Sequence, residues 1–245
     1  MMSSLSQSSQ TNRPKVIAAV PCFNTEPFIA EVVSRARKYV DQVIVINDGS
    51  HDSTAKAAEA VGVLVINHDG NRGYGEAVKS CFEAAKANGA DILVILDGDG
   101  QHNPDEIPKL VAFLTDNGAD IVIGSRFMDS QTDMPGYRRF GIKIITFLLN
   151  FGYREKLQDA QSGFRAYSKQ ALNTISGTES GMGISVEILI KARTNNLKIG
   201  EVCISCQYHL SSSAMNPVIH GLTVAYSVVK LRLKELVDGT VRGVR

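Results

Sequence analysis

A short apolar run that ends in two aspartates constrains this chain more than any other feature. Ile92 to Leu96 is uninterrupted and apolar, which is typical of a strand buried on both faces of a parallel sheet. It is followed directly by Asp97-Gly98-Asp99-Gly100-Gln101. Because ligands in open α/β sheets bind beyond the carboxyl ends of the strands, the run predicts an α/β fold with a site at this edge.

The two aspartates predict a metal site. Asp97 and Asp99 would repel each other and stay poorly solvated without a cation. A hard divalent ion such as Mg²⁺ or Mn²⁺ takes oxygen ligands and usually also binds substrate phosphates. A solvated Asp-Gly turn is the alternative, and the preceding strand favours the metal–diphosphate site. An EF-hand loop is excluded because Gln101 and His102 stand where Asp or Asn and then Gly are required.

Strands and helices alternate through the first half of the chain, with short connections. Further strands are predicted over Lys15 to Val20, Val43 to Ile46, Val63 to Ile66 and Asp120 to Ile123. Helices are predicted from Glu26 to Val40, from the Asp52-Ser53 cap to Ala60, from the turn at 71–75 to about Asn88, and from Pro104 to about Asp116. This order predicts a mainly parallel sheet built by right-handed crossovers.

After Phe127 the pattern changes. Met128 to Gly136 is predicted as a loop and Leu210 to Asn216 as a Ser-rich hinge. The remaining predicted elements are strands at Ser162 to Tyr167 and Ile199 to Tyr208, and helices at Arg138 to Phe151, Ile184 to Thr194 and Pro217 to Leu236. We therefore divide the chain into a disordered tail (1–12), a domain (13–212) with two halves (13–127 and 128–212), and a C-terminal amphipathic helix (213–245).

Composition narrows the function classes. The net charge of the 245 residues is +1, so no global field favours nucleic acid. The four cysteines are scattered, which is typical of reduced thiols in a cytosolic protein. Met1 to Asn12 has no apolar core of a signal peptide, and no segment has the roughly 20 apolar residues that span a bilayer. We expect a protein that is soluble or associated with the membrane surface, on the cytosolic side.

Polar residues recur where predicted strands end, and parallel topology brings these ends to one edge. They are Pro21 to Asn24, Asp48, the Asp97/Asp99 pair and Arg126. Asp48 could accept hydrogen bonds from a nucleobase or ribose, or could cap the following turn beside Asp52. Asn71-Arg72-Gly73, at a helix start, could bind a base or phosphate through backbone N–H groups. The fingerprints of dinucleotide dehydrogenases and P-loop ATPases are absent from the sequence.

Taken in order, these motifs resemble glycosyltransferase family 2, and most closely its dolichol-phosphate mannose synthase branch. The resemblance covers about residues 14–210. Its motifs are Pro21-Cys22-Phe23-Asn24, Asn47-Asp48-Gly49-Ser50, Asn71-Arg72-Gly73, Asp97-Gly98-Asp99-Gly100-Gln101-His102, Gly124-Ser125-Arg126 and Ser162-Gly163-Phe164. The resemblance implies a GT-A fold of the nucleotide-diphospho-sugar transferase type, with a C-terminal helical extension. It also implies that residues 13–127 are the nucleotide-binding half of the domain and residues 128–212 the acceptor half.

The resemblance also implies roles for individual residues. Asp97, Asp99 and Gln101 would hold Mg²⁺ or Mn²⁺ on the nucleotide diphosphate. Arg126, and Arg138 or Arg139, would face the sugar or the acceptor phosphate. The nucleotide sugar would contact Pro21, Phe23, Asn24, Asp48, Asn71, Arg72 and Asp97.

The implied reaction is the transfer of a hexose, with inversion, from a GDP-mannose or a UDP-glucose/GlcNAc type donor to a polyprenyl phosphate. A phosphate oxygen is already an anion and needs no general base. A saccharide hydroxyl, as the alternative acceptor, would need one, and Asp159 or Glu187 would be the candidates. For Glu187 a surface pair with Lys191 is the alternative, so Asp99, Arg126 and Asp159 are the predicted catalytic residues. A non-catalytic nucleotide-sugar-binding module is the alternative of another class.

Two predicted helices are strongly apolar, Arg138 to Phe151 and Pro217 to Leu236. The basic residues Lys230 to Lys234 end the second one and would suit anionic lipid headgroups. Such helices more often form a core or a homo-oligomer interface. The family resemblance implies membrane-surface contact for at least one of them, and with it a cytoplasmic protein peripherally associated with the cytosolic face of the membrane.

Overall fold

The computed structural model describes residues 13–128, 134–207 and 224–231. The predicted tail (1–12) and the predicted hinge (210–216) lie outside the described residues, as do part of the predicted loop at 128–136 and most of the predicted C-terminal helix. The described strands are β1 Val16–Cys22, β2 Gln42–Asn47, β3 Leu64–Asn67, β4 Ile92–Ile95, β5 Ile121–Ser125, β6 Arg165–Ser168 and β7 Ile199–Cys203.

Helices cover both faces of the sheet. They are α1 Glu26–Ala36, α2 Thr54–Ala60, α3 Tyr74–Ala87, α4 Ile107–Asp116 (after a 3₁₀ turn at Pro104–Glu106), α5 Gly136–Asn150, α6 Lys169–Thr174 and α7 Ile184–Thr194. Residues 224–231 are also helical, and we call them the C-terminal segment. No helix in the described parts of the chain is long and apolar enough to cross a bilayer.

The described strands form one sheet in the order β3-β2-β1-β4-β6-β5-β7. All neighbouring pairs are parallel except those of β6, which is antiparallel to both β4 and β5. Because β6 lies between them, β4 and β5 still run in the same direction. The predicted mainly parallel α/β sheet of GT-A type is therefore confirmed.

Side-chain alternation along the strands builds two cores. In β1, Ile17 and Ala19 face one core, which α3 and α7 cover. Ala18 and Val20 face the other, which α1 and α4 cover. All four residues of β4 are buried, as expected for a strand with helices on both faces.

Several predicted boundaries were wrong. The strand predicted from Ser162 begins only at Arg165, and three other differences have a local cause. β1 continues through Pro21, although proline has no N–H to donate to a neighbouring strand. The strand tolerates it because Pro21 lies beyond the end of β4, where its carbonyl accepts a hydrogen bond from Gly98 N and no N–H of Pro21 is needed. α1 ends at Ala36 rather than Val40, since the chain turns there and brings the Asp41 carboxylate to Val16 N, at the start of β1. β7 ends at Cys203 because its partner β5 ends opposite it, at Ser125. Beyond it, among the described residues, Cys206 makes an isolated bridge to His102.

Candidate active site

The strand ends converge as the topology requires. β1, β2, β4 and β5 share one direction, so the residues that follow them lie along one edge of the sheet. This edge carries Phe23 and Asn24 after β1, Asp48 after β2, Asp97 and Asp99 after β4, and Arg126 after β5.

Asp97 lies at the centre of this edge, with its side chain 29% exposed. The Tyr74 hydroxyl donates a hydrogen bond to Asp97 Oδ1 at 3.3 Å. Desolvation raises the pKa of Asp97 to about 6, although the Tyr74 hydrogen bond and the charges of Arg126 and Arg165 act against it. A Cβ at Gly163 would lie 2.6 Å from Asp97 Oδ2, so only glycine fits beside this carboxylate.

Asp99 is held by its own turn. Gln101 donates to it twice, from its backbone nitrogen to Oδ1 at 3.0 Å and from Nε2 to Oδ2 at 2.6 Å. Burial and then repulsion by Asp97 raise the pKa of Asp99. The amide nitrogen of Gln101, rather than its oxygen, faces this carboxylate, so Gln101 supports Asp99 in this arrangement.

His102 fixes the shape of the turn. Its Nδ1 accepts a hydrogen bond from Asp97 N at 3.3 Å, and its ring is buried. Burial lowers the pKa of His102 to about 4, so the imidazole is neutral at pH 7. The backbone beyond β7 pairs with the turn that contains His102, since Gln207 N donates to Gln101 O at 3.0 Å.

The chemistry of this donor set fits a divalent cation. Two neighbouring carboxylates have raised pKa values because negative charge is poorly solvated at this position, and a hard cation would relieve both effects. Among the described residues no group of three or more His, Cys, Asp or Glu could hold a metal alone. Mg²⁺ sites commonly use one or two carboxylates and complete their coordination with substrate phosphates, which is the arrangement Asp97 and Asp99 allow.

Arg126 and Asp159 form a bidentate ion pair next to this site. Arg126 Nε and Nη2 donate to the two oxygens of Asp159 at 2.7 and 2.8 Å, and Asp159 is fully buried. Burial alone would raise the pKa of Asp159, but the charge and hydrogen bonds of Arg126 outweigh it and lower that pKa. A buried carboxylate with a lowered pKa and both oxygens occupied is poorly suited to accept a proton, so this geometry disfavours Asp159 as a general base.

Glu187 is not the surface residue that we expected. Its predicted ion pair with Lys191 is present at 2.8 Å, but its carboxylate is buried and also accepts hydrogen bonds from the backbone of Thr178 and Glu179. Burial would raise the pKa of Glu187, but these bonds and Lys191 outweigh it and lower that pKa. Glu187 is therefore also poorly placed to act as a base.

The predicted nucleoside contacts flank an open part of the edge. The Phe23 ring is 40% exposed and meets His51 edge-on, with 6.0 Å between the ring centroids. Asn24 adopts a positive φ of 51° and its Oδ1 accepts a hydrogen bond from His51 N at 2.9 Å. Pro21 is buried within β1.

Asp48 is buried and caps a loop, but not the turn predicted as its alternative role. Its two oxygens accept hydrogen bonds from Arg72 N and Gly73 N, both at 2.9 Å. His68 Nδ1 lies 2.7 Å from Asp48 Oδ1, and the other ring nitrogen lies 2.9 Å from Ser80 Oγ. Asp48 thus shapes the loop whose exposed residues, Asn71 and Arg72, are the predicted nucleotide contacts.

Three polar residues near the edge were missed by the sequence analysis. His68 directly follows β3, so the strand-end rule that found Asp48 could have found it. Tyr74 begins α3, where only its contact with Asp97 distinguishes it from a core aromatic. Arg165 is buried and donates to the carbonyls of Ser162, Ser185 and Ala160 at 2.8–2.9 Å, which no local pattern predicts.

Arg138 and Arg139 lie half-buried in the first turn of α5, away from the strand ends in sequence. The same helix carries an exposed apolar row that we call the aromatic stripe. Its members recur every three or four residues and are Tyr137, Phe140, Ile144, Phe147 and Phe151.

Comparisons with known proteins agree with this geometry. Residues 17–176 match the family described as Glycosyl transferase family 2. A UDP-N-acetylglucosamine–dolichyl-phosphate N-acetylglucosaminyltransferase from Methanococcus voltae is 32% identical over 89% of this chain and 96% of its own. A dolichyl-phosphate hexose transferase from Haloferax volcanii is 30% identical over 87% of this chain and 92% of its own.

One solved structure shows the shared fold. Glucosyl-3-phosphoglycerate synthase from Mycobacterium tuberculosis, in complex with Mn²⁺, UDP-glucose and phosphoglyceric acid, superposes with a TM-score of 0.70 at 21% identity. The alignment covers 89% of this chain and 79% of that one.

Proposed function

Since the chain belongs to glycosyltransferase family 2, we propose that it transfers a hexose from a nucleotide sugar to a polyprenyl phosphate at a membrane surface. Relatives named as dolichyl-phosphate transferases, aligned over most of their length, support a lipid phosphate as the acceptor. The donor is of the GDP-mannose or the UDP-glucose/GlcNAc type. The reaction inverts the anomeric centre because it is a direct displacement.

This proposal rests on the fact that the carboxylate oxygens of both candidate bases are already occupied. Asp159 has both oxygens on Arg126, and Glu187 has its oxygens on Thr178, Glu179 and Lys191. A saccharide hydroxyl would have to lose a proton to such a group. A phosphate monoester is anionic near neutral pH and needs only to be positioned, which favours the phosphate acceptor over the hydroxyl.

Asp97 and Asp99, which we call the acidic pair, would act on the leaving group. Asp97 and Asp99 would hold Mg²⁺ or Mn²⁺ on the donor diphosphate, with Gln101 orienting Asp99. When bound, such an ion would offset the negative charge that develops on the departing nucleotide. Arg126 contributes positive charge near Asp97, and Asp159 holds its guanidinium in place.

The acceptor would approach from α5. Arg138 and Arg139, in the first turn of this helix, are the candidates for binding its phosphate. The aromatic stripe is typical of a helix that lies in the membrane interface, and the exposed Lys143 beside it suits anionic headgroups. Tyr226 and Val229 of the C-terminal segment add further exposed apolar surface.

A panel of nucleotide sugars tests the proposal. Each donor is incubated with a short polyprenyl phosphate and Mn²⁺, and the product is identified by its mass. We expect one donor to give a glycosylated polyprenyl phosphate. Adding a saccharide as a second acceptor should leave the mass of this product unchanged. Transfer to a free saccharide, with none to the lipid phosphate from any donor, would overturn the proposal.

A further inference from the structure

The 178–180 loop, which packs against the start of α3, is held in place by a buried carboxylate. Glu187 is 1% exposed, and its carboxylate accepts hydrogen bonds from Thr178 N at 2.8 Å, from Glu179 N at 2.9 Å and from the Thr178 hydroxyl. A buried carboxylate costs desolvation energy, which these bonds and Lys191 have to offset. These hydrogen bonds fix the position of the 178–180 loop relative to α7.

The loop in turn fixes the start of α3. Gly75 N donates to Ser180 O at 2.9 Å. A Cβ on Gly75 would lie 2.4 Å from Glu179 O, and a Cβ on Gly73 would lie 3.0 Å from Ser180 O. The backbone of the loop therefore lies directly against the first turn of α3, with no space for a side chain between them.

That first turn carries the side chain which touches the acidic pair. Tyr74 lies between the two glycines, and its hydroxyl donates to Asp97 Oδ1 at 3.3 Å. Gly163 closes the other side, since a Cβ there would lie within 3.0 Å of both the Tyr74 hydroxyl and the Asp97 carboxylate. A shift of the 178–180 loop would thus move Tyr74 against Asp97.

The C-terminal segment braces the same loop. Val224 and Val228 are buried in the core that α3 and α7 share. Ser227 packs against Gly183, and Lys230 Nζ lies 3.2 Å from Glu179 Oε1. The loop is therefore held from two sides, by α7 and by the C-terminal segment.

We propose that Glu187 is a positioning residue for the metal-binding carboxylate, acting through the 178–180 loop, the first turn of α3 and Tyr74. The role rests on the proposed function, because it concerns the divalent ion that Asp97 would hold. Outer groups that orient a metal ligand typically change metal affinity by about 10- to 100-fold when removed. Glu187 reaches the ligand only through these intermediates, so we place its effect at the lower end of that range.

The test measures Mn²⁺ affinity without an acceptor, by water proton relaxation, in the presence of UDP and in a parallel series with GDP. Glu187→Gln keeps the shape of the side chain but leaves one acceptor oxygen for several donors. We expect its Mn²⁺ affinity to fall about tenfold. Thr178→Val removes one of the bonds and disturbs folding less, and we expect a smaller fall in the same direction.

A double mutant separates positioning from general loosening. Tyr74→Phe should weaken Mn²⁺ binding, and adding Glu187→Gln to it should weaken binding no further, because both act along one path. Asp120→Asn is the matched control. Asp120 also accepts bonds from a backbone nitrogen, that of Lys198, and from a hydroxyl, that of Ser168, but at the opposite end of the sheet. Its loss should destabilise the fold and leave Mn²⁺ affinity unchanged.

The failures can be told apart. Unchanged Mn²⁺ affinity in both Glu187→Gln and Thr178→Val, or additive effects with Tyr74→Phe, would overturn the positioning role alone. Absence of Mn²⁺ binding to the unmutated protein with either nucleotide would overturn the proposed function and this role with it.

Discussion

Two pairs of carboxylates in this molecule have opposite surroundings. At the edge of the sheet, Asp97 and Asp99 have raised pKa values, and among the described residues neither forms an ion pair with Lys or Arg. In the second half of the chain, Asp159 and Glu187 have lowered pKa values and ion pairs with Arg126 and Lys191 at 2.7 and 2.8 Å.

The difference indicates that Asp97 and Asp99 can bind an external cation, whereas Asp159 and Glu187 support the fold. A carboxylate that the chain neutralises with its own cation is already satisfied, and its removal leaves a buried positive charge. A pair that lacks such a cation gains from an external one, and binding that ion requires both groups to be deprotonated. We therefore expect the two pairs to respond to mutation in different measurements.

The largest expected effect is on turnover. Asp99→Ala removes one of the two groups that would hold the ion on the leaving diphosphate, so the rate of transfer should fall about 10³-fold. Product mass under single-turnover conditions measures it. The melting temperature should stay the same or rise, because repulsion from Asp97 is relieved. Turnover that persists in metal-free buffer would contradict the assignment of the acidic pair.

Asp159→Asn should act on stability. It leaves the Arg126 guanidinium buried without its counter-charge, and we expect a loss of about 3 kcal/mol in the free energy of unfolding. Urea denaturation followed by circular dichroism measures it. The double variant Arg126→Gln with Asp159→Asn should recover part of the loss. If Asp159→Asn instead kept full stability and lost only transfer to a hydroxyl acceptor, the role of general base would be restored.

The pH dependence of metal binding sharpens the contrast further. Because the metal-free Asp97 carboxyl has a pKa raised to about 6, protons compete with the ion below that pH. Mn²⁺ affinity should be flat well above pH 6 and fall at least about tenfold for each pH unit well below it, more steeply once Asp99 is protonated as well. Calorimetric titration at several pH values gives the profile. A profile that stays flat down to pH 4.5 would mean that Asp97 is not the group that titrates.

The smallest expected effect concerns α5. Replacing Phe140 and Phe147, both 68% exposed, with serine should weaken binding to vesicles that contain anionic lipid by about tenfold and hardly change stability. Co-sedimentation measures it, and Leu64→Ser, at a 43% exposed apolar residue of β3, is the control. Unchanged vesicle binding together with dissociation of a dimer in sedimentation equilibrium would assign the aromatic stripe to a homo-oligomer interface.

The acidic pair could be predicted from the sequence because its signal is local. A short apolar run, two aspartates and the strand order of an α/β domain place Asp97 and Asp99 at one edge with no knowledge of distant contacts. The strand-end rule holds equally for Asp48 and Arg126. It gives their place but not their partners, which lie 20 or more residues away in the chain.

The surroundings of Glu187 and Arg165 could not be predicted, because they depend on contacts that no local pattern contains. Glu187 has the i, i+4 spacing to Lys191 of an ordinary surface pair. It is buried because the 178–180 loop folds back over α7. Arg165 is buried because β6 enters the sheet antiparallel between β4 and β5, an insertion that the alternating pattern of the first half does not indicate.

Nucleotide affinity with and without Mn²⁺ tests the central claim most directly. UDP and GDP are titrated calorimetrically into the unmutated protein and into the two single variants Asp97→Asn and Asp99→Asn, each with Mn²⁺ and with chelator. We expect Mn²⁺ to strengthen the binding of one of these nucleotides at least about tenfold in the unmutated protein and to have no effect in either variant. Equal nucleotide affinity with Mn²⁺ and with chelator in the unmutated protein would contradict it.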